Sequence, residues 1–285
     1  MSMSSALDRI ARVEVSLAGR RQPAFRVCAL AGFAVAVATG AVLTAAAGRS
    51  LAVTGILAAV CAATFAVHTL ARTVLTGEER LVYYHHEIAC LATSALALRL
   101  LGEPVLAYLD VTIAGIGICL AAGRLGCFAA GCCHGRPCRI GVRYGEAHVA
   151  HGLAPCWRGV RLFPVQLAEA LAATAIVALC AWAIVSGAPA GTAFALYVVV
   201  YGAVRFGLEF ARGDAGRGVL AGMTQPQWLS LASGAAVVAL AARGLVPIRP
   251  EHVVLTAMVA GVALVLSLRA GWARASALSA RVHGA

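Results

Sequence analysis

The chain reads Gly123-Arg124-Leu125-Gly126-Cys127-Phe128-Ala129-Ala130-Gly131-Cys132-Cys133-His134-Gly135 where one of its long apolar runs ends. An arginine at the edge of a bilayer segment is costly, roughly 2.5–3.5 kcal/mol at a helix centre, so its default interpretation is functional. Glycines beside it allow the backbone to approach a ligand closely and to expose N–H groups, as anion sites require. The stretch therefore predicts a membrane site for a phosphate-bearing molecule.

The composition is that of a polytopic membrane protein. Of 285 residues, 61% are apolar and 12% are charged, and the mean hydropathy is +0.86, which is unlike a soluble globular domain. All 23 basic residues are arginines, and the formal net charge is +11. Because these arginines are dispersed among apolar runs, they favour a membrane facing anionic lipid over a nucleic-acid partner.

The apolar runs predict an all-α polytopic membrane helix bundle of seven or eight transmembrane helices. A span needs about 20 apolar residues. The candidate spans are 27–47, 51–71, 88–101, 105–123, 165–186, 190–211, 228–246 and 253–270, of which 88–101 is short. We expect one transmembrane domain over residues 27–285, preceded by a polar, arginine-bearing segment over residues 1–26.

Four polar residues recur at helical spacing near the end of one span. Tyr201, Arg205, Glu209 and Arg212 are separated by four, four and three positions, which predicts one stripe on a helix. Polar side chains on one face of an apolar helix point into a bundle, where they can pair with one another. The plainer alternative is an Arg205–Glu209 ion pair that merely tethers the bundle.

A second polar set stands at the start of the span over 165–186. Pro164 suits the first turn of a helix, and Gln166 and Glu169 follow on one face, shortly after Arg161. A helix N-terminus favours an anion and offers free N–H groups. Alternatively, Pro164 is only a cap and Glu169 only complements the helix dipole.

Two histidines precede the short span over 88–101, in the run Tyr83-Tyr84-His85-His86-Glu87. A histidine can accept a proton near neutral pH, and a neighbouring carboxylate can raise its basicity. His85 and His86 are therefore candidate general bases. The alternative is an interfacial aromatic belt with polar ends.

The cysteines near the quoted stretch allow four interpretations. Cys127, Cys132, Cys133 and Cys138, with His134, could bind zinc, although the spacing lacks separated Cys-x2-Cys knuckles. They could also form disulfides, provide a nucleophilic or lipid-accepting thiol activated by arginine, or simply pack. We expect no metal and no other cofactor, with this cluster as the exception to consider.

Together these motifs resemble the prolipoprotein diacylglyceryl transferase family, bacterial membrane enzymes that lipidate lipoprotein precursors. The run Gly123 to Gly135 resembles the family signature, and Pro164-Val165-Gln166-Leu167-Ala168-Glu169 is similar to its Pro-Ser-Gln-Leu-Tyr-Glu element. Tyr201 to Asp214 resembles its Tyr-Gly-x-x-Arg-Phe-x-x-Glu-Phe-x-Arg-x-x-Asp helix, with Asp214 one residue early. Three elements in the family's order make the resemblance specific.

The resemblance implies a reaction at a bacterial cytoplasmic membrane that the chain crosses several times. The diacylglyceryl group of phosphatidylglycerol would move to the thiol of a lipobox cysteine in a lipoprotein precursor, releasing glycerol phosphate. Arg124 and Arg205 would hold the phosphate, Glu209 would orient them, and His85 or His86 would be the base. The remaining residues expected to bind substrate are Gly123, Gly126, Gly131, Gly135, Arg161, Gln166, Glu169, Tyr201 and Arg212.

The chain departs from the family pattern at three points. The family's His-Gly-Gly element is not intact, Cys127 replaces an asparagine of the signature, and Cys132 replaces an acidic residue. These changes keep two alternatives open. The chain could act on another lipid or thiol, or it could bind a lipid or anion without catalysis.

Overall fold

The structure, a computed structural model, describes residues 3–17, 19–77, 83–214 and 218–283. Its helices are α1 (Met3–Ile10), α2 (Ala24–Ala46), α3 (Leu51–Thr76), α4 (Tyr83–Leu100), α5 (Val105–Ala130), α6 (Glu146–Ala150), α7 (Val165–Val185), α8 (Thr192–Leu208), α9 (Gln225–Ala242) and α10 (Pro250–His283). Its strands are β1 (Glu14–Leu17), β2 (Arg20–Pro23), β3 (Pro137–Arg143), β4 (Arg161–Leu162), β5 (Val219–Leu220) and β6 (Met223–Thr224).

The strands form three small antiparallel pairs, β1–β2, β3–β4 and β5–β6. The rest is a helix bundle, which confirms the predicted fold class. Among the described residues, six helical segments are long and apolar enough to cross a membrane: Ala24–Ala46, Leu51–Thr76, Val105–Ala130, Val165–Val185, Thr192–Ala211 and Pro250–Ala270. The helices α4 and α9 have 18 residues each, and the count of seven or eight spans stays a prediction.

Helix α5 lies at the centre of the bundle, where it packs against α2, α4, α7 and α8. Its buried residues include Ile113 and Ala114, which join Ala173 of α7 and Tyr197 of α8 in the largest apolar cluster. Large apolar side chains elsewhere, such as Trp182 on α7, point outward and are exposed. This is the arrangement of a bundle whose outer surface is solvated by lipid.

Helix α5 also runs further than the sequence predicts. We expect a helix that ends at residue 123, whereas the helix continues through Arg124 to Ala130 and ends at Gly131, whose φ is +77°. Gly126 explains this, because a Cβ there would lie 3.0 Å from the Cα of Phe25 on α2. The glycine therefore serves close helix packing, which outweighs its cost of about 1 kcal/mol in a helix.

A buried carboxylate fixes α8 against α5. Asp110 of α5 accepts hydrogen bonds from the backbone N–H groups of Gly191 and Phe194, each at 2.7 Å. These N–H groups belong to the first turn of α8, where the helix has no internal acceptor for them. The contact sets the position of α8, and so of Tyr201 and Arg205, relative to α5.

A small polar layer covers one end of the bundle. The strands β3 and β4 pack with α1 around Phe128, Val142 and Tyr144. Asp8 of α1 accepts a hydrogen bond from the backbone N–H of Arg143 at 2.7 Å. Residues of the N-terminal segment thus contact this layer, and α2 begins at Ala24. The division into 1–26 and 27–285 stays a prediction.

Candidate active site

Three helices bring charged side chains together at Glu169. The carboxylate of Glu169, on α7, is fully buried and lies 2.9 Å from Nε of Arg124 on α5 and 3.6 Å from Nε of Arg205 on α8. The hydroxyl of Tyr201 donates to the same carboxylate at 2.9 Å. The two arginines that sequence analysis singled out are therefore neighbours inside the bundle.

The second carboxylate of this centre belongs to Glu209. It forms an ion pair with Arg205 one helical turn earlier, and it accepts a hydrogen bond from Oγ1 of Thr224 at 2.9 Å. Gln227 accepts in turn from the backbone N–H of Thr224 at 2.9 Å. The start of α9 thus holds Glu209 in place, and Glu209 holds Arg205.

The arginines and carboxylates balance formally, two against two. Charges this deeply buried persist only when they are paired and hydrogen-bonded. Arg124 is the more accessible arginine, with a side chain that is 11% exposed against 5% for Arg205. Both arginines are therefore largely enclosed by protein, Arg205 more completely than Arg124.

Tyrosine rings form the wall between this centre and α4. Tyr201 lies 5.3 Å from Tyr83, 6.1 Å from Tyr84 and 5.4 Å from Tyr197 between ring centroids. The hydroxyl of Tyr84 contacts Ser230 at 2.6 Å, and that of Tyr83 contacts Tyr197 at 2.8 Å. These tyrosines pack against one another within the bundle, which favours an interior wall over the interfacial belt that was the alternative for Tyr83 and Tyr84.

Arg212 does not lie on the predicted helical stripe. Helix α8 ends at Leu208, a 3-10 turn covers Glu209–Ala211, and Arg212 is extended. Its guanidinium binds Asp214 through two hydrogen bonds of 2.7 and 2.9 Å. The backbone around it crosses the signature loop, because Gly213 N–H donates to the carbonyl of His134 at 3.1 Å. Arg212 therefore reaches the site from the loop side.

Gln166 and Arg161 also have their own partners. The amide of Gln166, almost fully buried, donates to the carbonyl of Cys132 at 2.7 Å and so holds the signature loop against α7. Arg161 donates to the carbonyl of Gly141 at 2.9 Å and lies 3.8 Å from Asp8. Their expected contacts with substrate stay predictions.

The two histidines lie beyond the tyrosine wall, on α4. His86 is buried, with Nε2 3.2 Å from the hydroxyl of Thr69 and its ring 4.5 Å from that of His68. His85 is partly exposed, and its Nε2 lies 3.1 Å from the amide nitrogen of Gln225 at the start of α9. These contacts join His86 to α3 and His85 to α9.

The cysteine cluster is smaller than the sequence suggests. The Sγ atoms of Cys127, Cys132 and Cys133 lie within 4.8 Å of one another. Cys138 instead donates to the carbonyl of Ile140 at 2.7 Å, and the Nδ1 atom of His134 lies 2.9 Å from the carbonyl oxygen of Gly135. The group within this distance therefore does not include Cys138 or His134. All ten cysteines, each among the described residues, carry free thiols in this structure.

The surroundings of this cluster favour a thiolate at Cys133 alone. Although its hydrogen bond with Cys127 acts in the other direction, the hydrogen bond with Cys133 and burial raise the pKa of Cys132 to about 12. Hydrogen bonds from the thiols of Cys127 and Cys132, with the charges of Arg212 and Arg124, hold the pKa of Cys133 well below its usual value. A lowered thiol pKa is what distinguishes a reactive or metal-binding cysteine from a structural one.

Gly135 has a packing role that predicts a measurable effect. A Cβ on Gly135 would lie 2.5 Å from the carbonyl oxygen of Phe163 and 3.0 Å from that of Ala211, whereas a Cβ on Gly123 would have no neighbour within 4 Å. We expect Gly135→Ala to lower the free energy of unfolding by about 1–3 kcal/mol through overpacking. Gly123→Ala, the matched control, should be neutral or stabilising in detergent unfolding experiments. Equal effects of the two changes would contradict this role.

Several residues of the site were not identified from the sequence. Thr224 and Gln227 support Glu209, and Tyr84 and Tyr197 form the aromatic wall. The sequence does contain a signal for Thr224 and Gln227, because Thr-x-x-Gln before an apolar run is the capping-box pattern of a helix N-terminus. The tyrosines have no such local signal, since only tertiary packing turns their rings toward Tyr201.

These features define an integral membrane protein with a buried arginine–carboxylate centre between its helices. The sequence matches the family described as prolipoprotein diacylglyceryl transferase over residues 27–243. That match covers most of the chain, and the chain belongs to this family.

Two curated relatives have similar sequences. A phosphatidylglycerol–prolipoprotein diacylglyceryl transferase of Clostridium tetani is 32% identical over 127 residues, which are 45% of this chain and 49% of the relative. The phosphatidylglycerol–prolipoprotein diacylglyceryl transferase 2 of Clostridium perfringens is 30% identical over 127 residues, 45% of this chain and 48% of the relative. The chain spans about half the length of the curated relatives it matches.

Proposed function

We propose that this protein transfers the diacylglyceryl group of phosphatidylglycerol to the cysteine thiol of a lipoprotein precursor. One observation carries the proposal: Arg124 and Arg205, from separate helices, share the buried carboxylate of Glu169 in a member of this transferase family. The names of the two relatives give the substrates of those proteins. We assign the same substrate classes, and a bacterial cytoplasmic membrane, to this chain.

The chemistry needs positive charge at the leaving group. The acceptor thiol loses its proton, its sulfur forms a bond to the glycerol carbon that carries the phosphate ester, and the carbon–oxygen bond breaks. Glycerol phosphate leaves as a monoester with an additional negative charge. Guanidinium groups suit this step because they bind phosphate through two parallel hydrogen bonds. Donors fixed where charge develops stabilise the transition state.

Each side chain of the centre then has a role. Arg124, the more exposed arginine, binds the phosphate, and Arg205 adds charge from the inner side. Glu169 and Glu209 keep both guanidiniums oriented before the lipid arrives. Tyr201 fixes Glu169 through its hydroxyl. Preorganisation of this kind avoids the cost of reorienting charged groups during the reaction.

The test uses labelled phosphatidylglycerol and a lipobox peptide with the purified full chain in lipid. We expect transfer of the label to the peptide by the wild type and by Arg243→Ala, an exposed control. Arg124→Ala and Arg205→Ala should lose it. If the wild type transfers no more label than these two variants, the proposed function is wrong.

His85 is the better candidate for the base that receives the thiol proton. It is partly exposed, whereas His86 is buried against Phe65, His68 and Thr69. We expect His85→Ala to lower the transfer rate about 100-fold, the low end for the loss of a general base. His86→Ala should mainly lower stability. Rates and unfolding of both variants check this, and an unaffected rate in His85→Ala would exclude the role.

A second candidate function follows from the departures in the signature. Cys127 and Cys132 replace polar residues of the family pattern near Arg124, which changes the chemistry around the arginine centre. The alternative is a family member that acts on another lipid or thiol, or that binds an anionic lipid without turnover. Binding of phosphatidylglycerol liposomes without product in the same assay would favour this alternative.

A further inference from the structure

Three thiols converge beside the arginine centre. Among the described residues, Cys127, Cys132 and Cys133 are the one group of three or more potential metal-ligating side chains whose ligand atoms all lie within 4.8 Å of one another. Cys127 is buried near the end of α5, while Cys132 is exposed at the start of the following loop. The group is therefore enclosed by protein at Cys127 and open to solvent at Cys132.

The backbone is shaped to bring these sulfurs together. The chain reverses at Gly131, whose φ is +77°, and Cys133 then adopts a φ of +55°. Such a conformation costs a residue with a Cβ roughly 1–2 kcal/mol. Strain of this kind in a non-glycine residue concentrates at functional sites, where the surrounding structure maintains it. Here Gln166 holds the carbonyl between the two cysteines at 2.7 Å.

The ligand set has the chemistry of a zinc site. Zinc–sulfur bonds are about 2.3 Å long, so three thiolates around one tetrahedral ion lie about 3.8 Å apart. The observed separations of up to 4.8 Å need an adjustment of about 1 Å. Cys138 and His134, the other candidates from the sequence, bind backbone carbonyl oxygens instead.

We propose that Cys127, Cys132 and Cys133 bind one Zn²⁺ ion and leave its fourth coordination position open. Three protein ligands with one open position distinguish catalytic zinc sites from structural ones, which have four. Three thiolates and one Zn²⁺ ion carry a net charge of −1. Arg124, one turn before Cys127, interacts electrostatically with Cys127 and Cys133, and Arg212 does so with Cys133. Both arginines lie beside the site while they also pair with carboxylates, Arg124 with Glu169 and Arg212 with Asp214.

The open position fits a thiol as the fourth ligand. This part rests on the proposed function: the acceptor cysteine would bind the zinc through sulfur, and a thiol that coordinates a metal ion is deprotonated. Its proton leaves to the base. The bound sulfur then forms the bond to the glycerol carbon as the carbon–oxygen bond breaks, and the ion stays on its three cysteines. The site would thereby present the nucleophile beside Arg124.

Metal analysis of the full chain, purified in detergent under reducing conditions and reloaded with Zn²⁺, tests the site. We expect one zinc per chain in the wild type and in Cys138→Ser, the matched control. Cys132→Ser should lose the ion, and because this residue is exposed the variant should fold. Replacement of zinc by Co²⁺ should give sulfur-to-cobalt charge-transfer absorption in the wild type and in Cys138→Ser only. A lipobox peptide should change the cobalt spectrum, and its serine analogue should not.

Three results would overturn the zinc site: a wild type without zinc after reloading, equal zinc in Cys132→Ser, or a disulfide within the group in reduced, metal-loaded protein. An unchanged cobalt spectrum with peptide would remove the fourth-ligand step alone. Metal content does not depend on turnover. If the wild type binds zinc but transfers no lipid, the zinc site is supported and the proposed function is wrong. If it transfers lipid without binding zinc, the proposed function is supported and the zinc site is wrong.

Discussion

Glu169→Gln is expected to lower the free energy of unfolding by about 3–5 kcal/mol, the cost of removing one partner from a buried ion pair. Glu169 is fully buried and serves Arg124, Arg205 and the hydroxyl of Tyr201 at once. Glutamine keeps the size of the side chain and removes its charge. The amide also brings two donors to guanidinium groups that can only donate.

A second substitution should recover much of this loss. Arg205 keeps Glu209 as its partner, so Arg124 is the side chain left without a countercharge. Adding Arg124→Met to Glu169→Gln restores the charge balance, and the double variant should be more stable than Glu169→Gln alone. Such non-additivity is expected of side chains that contact each other. Unfolding in detergent, followed by far-ultraviolet circular dichroism, measures Glu169→Gln, Arg124→Met and the double variant.

The control is an ion pair of the same chemistry at the surface. Glu146 pairs with Arg158, and their side chains are 73% and 61% exposed. Exposed pairs contribute about 0–1 kcal/mol, so Glu146→Gln should change stability little. Equal losses in Glu146→Gln and Glu169→Gln would mean that the buried centre does not stabilise the bundle.

The convergence of Arg124 and Arg205 was within reach of the sequence. Charged residues in apolar helices face the bundle interior because lipid cannot solvate them, and helical spacing placed Arg205 and Glu209 together. The sequence did not reveal that Glu169, from another helix, would join the two arginines. That depends on how α5, α7 and α8 pack, which local patterns do not determine.

The errors have a common physical origin. Local preference predicts a helix end before Arg124, yet packing of Gly126 on Phe25 continues α5 to Ala130. Helical periodicity places Arg212 on the stripe of α8, yet the chain leaves the helix at Leu208 and Arg212 binds Asp214. In both cases tertiary contacts worth a few kcal/mol override weaker local preferences.

Arg124→Lys is expected to lower the turnover number for lipid transfer by a factor of about 100–1,000, the range for losing one donor aimed at developing charge. Lysine keeps the positive charge but not the planar pair of donors, and the two are not interchangeable where phosphate is bound by two parallel hydrogen bonds. Glu169, 2.9 Å from the Nε of Arg124, can still pair with the ammonium group, so the variant should fold.

The role of Arg124 can be read from whether the substitution changes kcat, KM or both. An interaction made only in the transition state lowers kcat and kcat/KM equally, whereas uniform binding raises KM alone. We expect the first pattern, because the charge on the phosphate increases as the carbon–oxygen bond breaks. Steady-state kinetics with phosphatidylglycerol vesicles and a lipobox peptide measure both constants, with the exposed Arg243→Lys as the matched control. A raised KM with unchanged kcat would mean that Arg124 binds the lipid without stabilising the leaving group. Full activity of Arg124→Lys would mean that the two parallel hydrogen bonds of Arg124 are not needed for the reaction.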